Sequence, residues 1–584
     1  MFPDKERLRG LHKFLTERTE FKYVLSNVVN LRKEKIMSEK EHRIQNPVIP
    51  GFYPDPSVCR VGDDFYLVNS SFELYPGIPV FHSRDLAHWE QISYAMYKEN
   101  GFHVNANLYA GGVMAPTIRY QDGRYYIINA NFGDRGNYIV TAEDPKGPWS
   151  EPHWITDVPD IDCSLFFDLD GKAYLISPGN DGSEDNGRAF FLTPYDIREM
   201  HVSGERKKIW NSAMRKASAP EAPHLYHIGE YYYLMIAEGG TEHNHSVCIA
   251  RSRTIDGWYV GNPANPVLTH RHLGYEYPIE NIGHADLIDT PQGNWYAVML
   301  GVRIIEGQHM NMGRETFLCP VKWERGWPVF SPGSGKVEES YPADPDLPWT
   351  EGRKKTPRDD FDAPALDLCW SFWGTPYEDF WKTEDGCLKL KCLPRPLIRK
   401  LMQLDPAHPD MRRDDNVSFL GRRQESRDFS FSVKMTFEPE NQETAGIVAM
   451  QASNHEFRFE LRRTEGKKKL ALVQVTTKQK GLPFLPGYES ETTEKVLHEE
   501  EAGGNTFILR MQAQGQDFSF FLGSGEEDMH VFYEHADGKL INPEEVGGMV
   551  GTMLGMFASG NGKESSNWAC FDWAELRNTE EDNL

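Results

Sequence analysis

Residues 161–175, IDCSLFFDLDGKAYL, contain one copy of a unit that occurs five times between residues 55 and 300. Each copy has an apolar run, a polar turn, and a tyrosine three residues after a Gly or Asp of that turn. These tyrosines recur every 48 to 64 residues, at Tyr66, Tyr126, Tyr174, Tyr232 and Tyr296. Repeats of this length, built from short strands, are typical of β-propeller blades. The sequence therefore predicts an all-β fold that begins with a five-bladed β-propeller.

A second position recurs eight or nine residues before each turn, where the apolar run begins. It is occupied by Asp55, Met114-Ala115, Asp162, Glu221 and His284. Because the inner strands of propeller blades face one another across the axis, we expect these positions to meet in one pocket. Carboxylates brought together in a partly desolvated cleft differ in pKa, so that one stays ionised while another holds a proton. Glycoside hydrolysis needs that division of labour.

Composition and charge exclude several classes of protein. The chain has 584 residues and a net charge of -24, which indicates more than one domain and argues against a nucleic-acid partner. No run of eighteen apolar residues predicts a membrane span. The eight cysteines form no CxxC pair, which favours buried thiols in a cytoplasmic protein over disulfides or zinc. The sequence neither requires nor excludes a homo-oligomer.

Four segments are predicted along the chain. Residues 1–45 form a charged extension without the apolar core of a secretion signal, and Met37 is an alternative start. Residues 46–336 hold the propeller, and the proline-rich residues 337–358 form a linker. Residues 359–584 alternate apolar and polar side chains, which predicts a β-sandwich.

Several motifs together resemble glycoside hydrolase family 43, in particular its β-xylosidases and α-L-arabinofuranosidases. They are NPVIPGFYPDPSVC, GGVMAPTIRY, IDCSLFFDL, APEAPHLY, GHADLIDT and MGRETFLCPVKW, followed by FDAPALDLCWSFWGTP. The resemblance implies a five-bladed β-propeller followed by a concanavalin-like β-sandwich, and hydrolysis with inversion at the anomeric carbon. It makes Asp55 the general base, Glu221 the general acid, and Asp162 the residue that raises the pKa of the acid and orients it. Inversion needs the base and acid carboxyls to be about 6.5–9.5 Å apart.

Four further positions match sugar-contacting residues of this family. Phe72 matches an aromatic wall, His284 and Arg303 match the pocket floor, and Met114 stands where many β-xylosidases have a Trp. Each has a structural alternative: Phe72 and His284 as core residues, and Arg303 as the partner of a carboxylate. Some members hold a calcium ion near the central histidine, but a lone imidazole does not establish one, so no cofactor is predicted.

The predicted function is that of an exo-acting glycosidase that releases terminal β-D-xylose from xylo-oligosaccharides, with a short oligosaccharide as its only predicted partner. One alternative is an α-L-arabinofuranosidase acting on arabinoxylan oligosaccharides, because Met114 removes the aromatic platform of the second blade. Two others are a non-catalytic carbohydrate-binding protein and a retaining transglycosylase acting on fructosyl groups.

Overall fold

The computed structural model describes residues 42–104, 111–132, 134–183, 187–214, 216–352, 356–397, 416–451, 455–480, 489–546 and 550–579. These residues are almost entirely β-structure, which confirms the prediction of an all-β protein. Their helical segments are Lys98–Asn100, Glu526–Asp528, Gly538–Ile541 and Pro543–Val546. Among the described helices, none has the length and apolar character required to cross a membrane.

Five antiparallel sheets follow one another from residue 57 to residue 330, and together they are called the five-sheet region here. The first sheet contains β2 (Ser57–Val61), β3 (Asp64–Val68), β5 (Gly77–Ser83) and β6 (Glu90–Met96). The second contains β7 (Gly112–Gln121), β8 (Arg124–Phe132), β9 (Gly136–Ala142) and β10 (His153–Ile155). The third contains β11 (Ser164–Phe167), β12 (Ala173–Asn180), β13 (Arg188–Asp196), β14 (His201–Val202) and β15 (Lys207–Trp210). The fourth contains β16 (Glu221–Ile228), β17 (Tyr231–Glu238), β18 (Ser246–Ser252) and β19 (Val260–Gly261). The fifth contains β20 (Ile279–Asp289), β21 (Trp295–Arg303), β22 (Glu315–Glu324) and β23 (Trp327–Phe330).

Each copy of the sequence repeat forms the first hairpin of one sheet. The turn glycines have φ between +62° and +87°, a backbone conformation that glycine adopts more readily than residues with a Cβ. They are Gly62, Gly123, Gly171, Gly229 and Gly293, and the space around each is open. The first strands of the sheets contact one another in order, β2 with β7, β7 with β11, β11 with β16 and β16 with β20. Strand β20 in turn contacts β2, so the first strands form a closed ring.

The two ends of the five-sheet region are tied together by a short antiparallel ribbon. Strand β1 (Arg43–Gln45) pairs with β24 (Ser340–Pro342). The first of these strands lies at the end of the predicted extension 1–45, whose residues 1–41 are outside the described part, and the second lies in the predicted linker 337–358. The linker also contacts the first sheet, where the Thr350 amide donates to Asp85 Oδ2 at 2.9 Å.

The described residues between 358 and 579 form two packed antiparallel sheets, called the sandwich here. One contains β27 (Trp381–Glu384), β28 (Cys387–Lys391), β39 (Trp568–Asn578), β30 (Phe429–Thr436), β35 (Thr506–Gln514), β36 (Asp517–Gly523) and β37 (His530–Asp537), with β25 (Arg358–Asp359) beside β39. The other contains β29 (Ser418–Arg423), β38 (Met553–Ser559), β31 (Thr444–Met450), β32 (Glu456–Thr464), β33 (Lys467–Lys480) and β34 (Glu489–Glu501). Alternate residues of their strands, such as Phe431 and Phe459, are buried in one core between the sheets. This is the arrangement that the period-two pattern predicts.

The sandwich packs directly against the five-sheet region. Strand β4 (Leu74–Tyr75) pairs with β26 (Phe372–Trp373) across the junction. The buried Arg423 donates from Nε to the carbonyl of Phe52 at 2.7 Å, and its guanidinium lies 4.2 Å from the ring centroid of Tyr53. The sandwich therefore contacts the segment that leads into Asp55.

Candidate active site

The predicted pocket positions share an unusual backbone conformation in all five sheets. A non-glycine residue with φ between 44° and 59° lies within or just before each first strand: Asp55, Ala115, Asp162, Ala222 and His284. Left-handed residues of this kind each cost about 1–3 kcal/mol and cluster at functional sites. Glu221 lies one residue before Ala222, the left-handed residue of the fourth sheet. It therefore corresponds to Met114, which lies one residue before Ala115. Both first strands have a register shift at this point, between Met114 and Thr117 and between Glu221 and His224, which agrees with this correspondence.

Asp55 is held as an anion by two donors. It is only 4% exposed, Ser70 Oγ donates to its Oδ2 at 2.5 Å, and Arg314 Nη1 donates to its Oδ1 at 2.8 Å. Burial alone would raise the pKa of Asp55, but the Arg314 guanidinium and the Ser70 hydroxyl outweigh it, and the pKa is lowered. His284 Nδ1 lies 3.8 Å from the same oxygen, and burial lowers the pKa of this imidazole. Asp55 is therefore ionised beside a neutral His284.

Glu221 and Asp162 lie next to each other in the same pocket. One carboxyl oxygen of each residue and one ring nitrogen of His284 all lie within 4.8 Å of one another. Burial and then the charge of Asp55 raise the pKa of Glu221 to about 7. Burial, followed by the charges of Glu221 and Asp55, raises the pKa of Asp162 well above its usual range, while the Ala222 amide donates to its carboxyl. The pair therefore holds a proton near neutral pH, although Asp55 does not.

A further buried carboxylate, Asp286, lies on the inner strand of the fifth sheet. It accepts hydrogen bonds from Ser57 Oγ at 2.7 Å, the Tyr226 hydroxyl at 2.6 Å and Arg119 Nη1 at 3.0 Å. These partners, called the axial network with Asp286, come from the first, fourth and second sheets. Burial would raise the pKa of Asp286, but the Arg119 guanidinium keeps it well below the usual range. The axial network therefore fixes the strands whose ends carry the site.

The residues around His284 do not fit a calcium ion. Calcium prefers six to eight oxygen ligands, whereas His284 has only the two carboxyls of Asp162 and Glu221 within that 4.8 Å group. The neighbouring carboxylates already have cationic partners, since Asp55 pairs with Arg314 and Asp286 pairs with Arg119.

The structure favours the structural alternatives for two of the predicted sugar contacts. Phe72 is 1% exposed and packs in the cluster between the five-sheet region and the sandwich, so its ring is a core residue. Arg303 donates from Nε and Nη2 to the two carboxyl oxygens of Glu315, both at 2.8 Å, and from Nη2 to the carbonyl of Glu425 at 2.6 Å. Met114, in contrast, is partly exposed and immediately precedes the pocket residue Ala115.

Two polar residues of the site are missing from the sequence-based prediction. Arg314 supplies the guanidinium beside Asp55, and Ser70 bridges the Ala115 amide at 2.6 Å to Asp55. Arg314 lies in the family-like motif MGRETFLCPVKW, and Ser70 lies two residues before the family-matched position Phe72, so these matches were the available signal. Their contacts could not be read from it, because Arg314 and Asp55 are 259 residues apart.

Comparison with known proteins agrees with this geometry. The sequence profile described as glycosyl hydrolases family 43 matches residues 44–328. The profile described as beta xylosidase C-terminal concanavalin A-like domain matches residues 358–577, which confirms the predicted type of sandwich.

Similar proteins match over almost the whole chain. A xylosidase/arabinosidase of Butyrivibrio fibrisolvens is 39% identical over 539 residues, which cover 90% of this chain and 98% of the relative. A non-reducing end alpha-L-arabinofuranosidase of Bacteroides ovatus is 38% identical over 551 residues, covering 93% and 96%. The solved structure of a xylan beta-1,4-xylosidase from Bacillus halodurans has a TM-score of 0.81 at 29% identity, and the match covers 91% of this chain and 100% of that one. The chain therefore belongs to glycosyl hydrolases family 43 and is a glycoside hydrolase.

Proposed function

We propose that the enzyme is an inverting exo-glycosidase that removes terminal β-D-xylosyl residues from xylo-oligosaccharides. The observation that carries the mechanism is the contrast in protonation within one pocket. Asp55 has a lowered pKa, whereas the pKa of Glu221 is raised to about 7. At neutral pH the site therefore offers an ionised base and a protonated acid, which is the pair that hydrolysis of a glycosidic bond requires.

In the proposed reaction, Asp55 takes a proton from a water molecule as the water oxygen attacks the anomeric carbon. Glu221 gives its proton to the glycosidic oxygen while the bond from that oxygen to the anomeric carbon breaks. The water oxygen ends on the face opposite the leaving group, so the released sugar has the inverted configuration. Asp162 accepts the amide of Ala222, the residue after Glu221, and the Glu221 charge helps to raise the pKa of Asp162, so the two carboxyls share a proton. We propose that Asp162 orients the acid. We propose a carboxyl separation of about 6.5–9.5 Å between base and acid.

The second candidate activity is that of an α-L-arabinofuranosidase. Two observations favour it: the names of the similar proteins include both activities, and Met114 replaces an aromatic residue beside the pocket. Measuring kcat/KM for an aryl β-D-xyloside and an aryl α-L-arabinofuranoside in parallel decides which activity is the main one. Met114→Trp is expected to change the ratio of the two values, and an unchanged ratio would show that this position does not set the preference.

The stereochemistry can be tested separately by proton NMR. With an aryl β-D-xyloside, the first xylose anomer released is expected to be α, which then mutarotates. If the first anomer is β, the enzyme is retaining, and the alternative of a retaining transglycosylase takes the place of this mechanism.

We further propose that the five-sheet region is a five-bladed β-propeller. The closed ring of first strands and the left-handed residue repeated in all five sheets support this arrangement. We propose domain bounds of 46–336 for the propeller, 337–358 for the linker and 359–584 for the sandwich. Because Arg314 and Arg119 are paired with the buried carboxylates, we also propose that catalysis needs no metal.

A further inference from the structure

Residues 310–314 of the five-sheet region reach the sandwich, and Asn311 makes several hydrogen bonds to it. Asn311 is 1% exposed, and its Nδ2 donates to the carbonyls of Gly538 and Ile541, both at 3.0 Å. Its Oδ1 accepts from Gln516 Nε2 at 2.6 Å, and its backbone carbonyl accepts the Thr552 amide at 2.8 Å. All four partners belong to the sandwich. The side chain of Asn311 therefore joins the two parts of the molecule through specific hydrogen bonds.

After Asn311, the backbone at Met312 and Gly313 lies directly against the backbone of the sandwich at Val550 and Gly551. A Cβ on Gly313 would lie 2.7 Å from the Val550 carbonyl oxygen and 2.8 Å from Gly551 Cα. In the other direction, a Cβ on Gly551 would lie 2.5 Å from the Met312 carbonyl oxygen. Gly313 also has a φ of +70°, which other residues adopt only with strain. The sandwich thus leaves the segment little freedom to shift.

Arg314 follows Gly313 directly, so the restricted backbone of Gly313 also restricts the position from which the Arg314 side chain extends into the pocket. Its Nη1 donates to Asp55 Oδ1 at 2.8 Å and to Thr241 Oγ1 at 3.2 Å. The guanidinium carbon also lies 5.4 Å from the ring centroid of Phe72. Only two residues separate Arg314 from Asn311, so a movement of Asn311 would move the start of the arginine side chain. An arginine displaced from Asp55 would leave a buried carboxylate with one donor fewer.

We propose that Asn311 is a positioning residue, through which the sandwich holds the Arg314 guanidinium against the general base. This inference rests on the proposed role of Asp55 as that base. It gives the sandwich a part in catalysis although Asn311 does not reach the pocket itself. Asn311 acts only through Arg314.

The test is the pH dependence of kcat/KM for Asn311→Ala in the full-length protein. Arg314 lowers the pKa of both Asp55 and Glu221, so a displaced guanidinium raises both values. Both limbs of the pH profile should therefore move to higher pH, and kcat/KM on the plateau should fall about tenfold or more. A general loss of folded protein would lower the plateau without moving either limb.

Two further variants keep the test decisive. Gln516→Ala removes one donor to Asn311 and should move the limbs in the same direction by less. Tyr94→Phe is the matched control, because it removes a different hydrogen bond between the five-sheet region and the sandwich, from the Tyr94 hydroxyl to the Leu368 carbonyl at 2.8 Å. Its limbs should stay at their wild-type positions.

The inference is overturned if folded Asn311→Ala keeps wild-type limbs, or, should that variant not fold, if Gln516→Ala keeps them. It is also overturned if Tyr94→Phe moves the limbs as much as Asn311→Ala does. The activity of Asp55→Asn distinguishes a failure of this inference from a failure of the proposed function. An active Asp55→Asn enzyme contradicts the function itself, whereas an inactive one with unmoved Asn311→Ala limbs contradicts only the positioning role.

Discussion

Asp286 in the axial network and Glu221 in the pocket are both poorly accessible carboxylates on inner strands, yet they have opposite properties. Asp286 is fully buried and accepts hydrogen bonds from Ser57, Tyr226 and Arg119, and its pKa is held below the usual range. Glu221 has the Asp55 anion as a neighbour, and its pKa is raised to about 7. Burial therefore does not distinguish a structural acid from a catalytic one. The partners do, because donors that stabilise the anion fix a charge whereas a neighbouring anion retains a proton.

The largest effect on activity is expected from Asp55→Asn, a substitution in the pocket rather than in the axial network. The amide cannot accept a proton from water, so kcat/KM is expected to fall by about 10²–10⁴-fold. The melting temperature should fall as well, because Ser70 and Arg314 bond to different oxygens of Asp55, and Asn keeps only one oxygen and no charge for them. The loss of activity is therefore measured on the folded variant. The measurement is a Michaelis–Menten analysis at the plateau pH together with a melting curve. Activity within a few-fold of wild type would remove Asp55 from the mechanism.

Asp286→Asn should lower the stability without changing the pH profile of the folded enzyme. It leaves the buried Arg119 guanidinium without its anion, so the free energy of unfolding is expected to fall by about 3–5 kcal/mol. The depressed pKa of Asp286 means that this stabilisation is present above the ordinary pKa of Asp and is lost as the pH falls below it. Denaturant titration at neutral pH measures the change. The limbs of the activity profile should stay in place for the fraction that is folded, and moved limbs would contradict a purely structural axial network.

A smaller effect is expected from Asp162→Asn, which tests where the shared proton resides. If Asp162 is the anion that favours protonated Glu221, the neutral amide lowers the pKa of Glu221, and the basic limb moves to lower pH. The pH profile of kcat/KM measures this directly. An unmoved basic limb would mean that Asp162 itself carries the proton across this range.

No change is expected when divalent cations are removed. Asp55 and Asp286 already have guanidinium partners, so dialysis against EDTA should leave kcat/KM and the melting temperature unchanged. A loss of activity that calcium restores would contradict the proposal of a metal-independent site.

The local part of the fold could be predicted from the sequence. Turn glycines and tyrosines mark the first hairpin of each sheet in the five-sheet region, because a tight turn and a strand have local chemical requirements. The repeat also placed Asp55, Asp162 and His284 at equivalent positions, which the shared left-handed backbone supports. Strands β1 and β24 were missed because each has only three residues and their partners are nearly 300 positions apart, as Arg43 and Pro342 show.

The partners that set the electrostatics of the site could not be predicted in the same way. Arg303 and Arg314 lie in neighbouring motifs and have the same side chain, yet the first pairs with Glu315 and the second with Asp55. Which arginine reaches the pocket depends on the path of the intervening segment through the sandwich. That path is a property of the packed molecule, and no local pattern encodes it.

The central claim is that Glu221 is protonated near neutral pH because it is buried beside the ionised Asp55. The most direct measurement is the pH dependence of kcat/KM for wild type and Glu221→Gln with an aryl xyloside whose leaving group needs no protonation. The wild-type enzyme should lose activity as the pH rises through about 7, and Glu221→Gln should retain activity on this substrate without that basic limb. A basic limb that persists unchanged in Glu221→Gln would contradict the account.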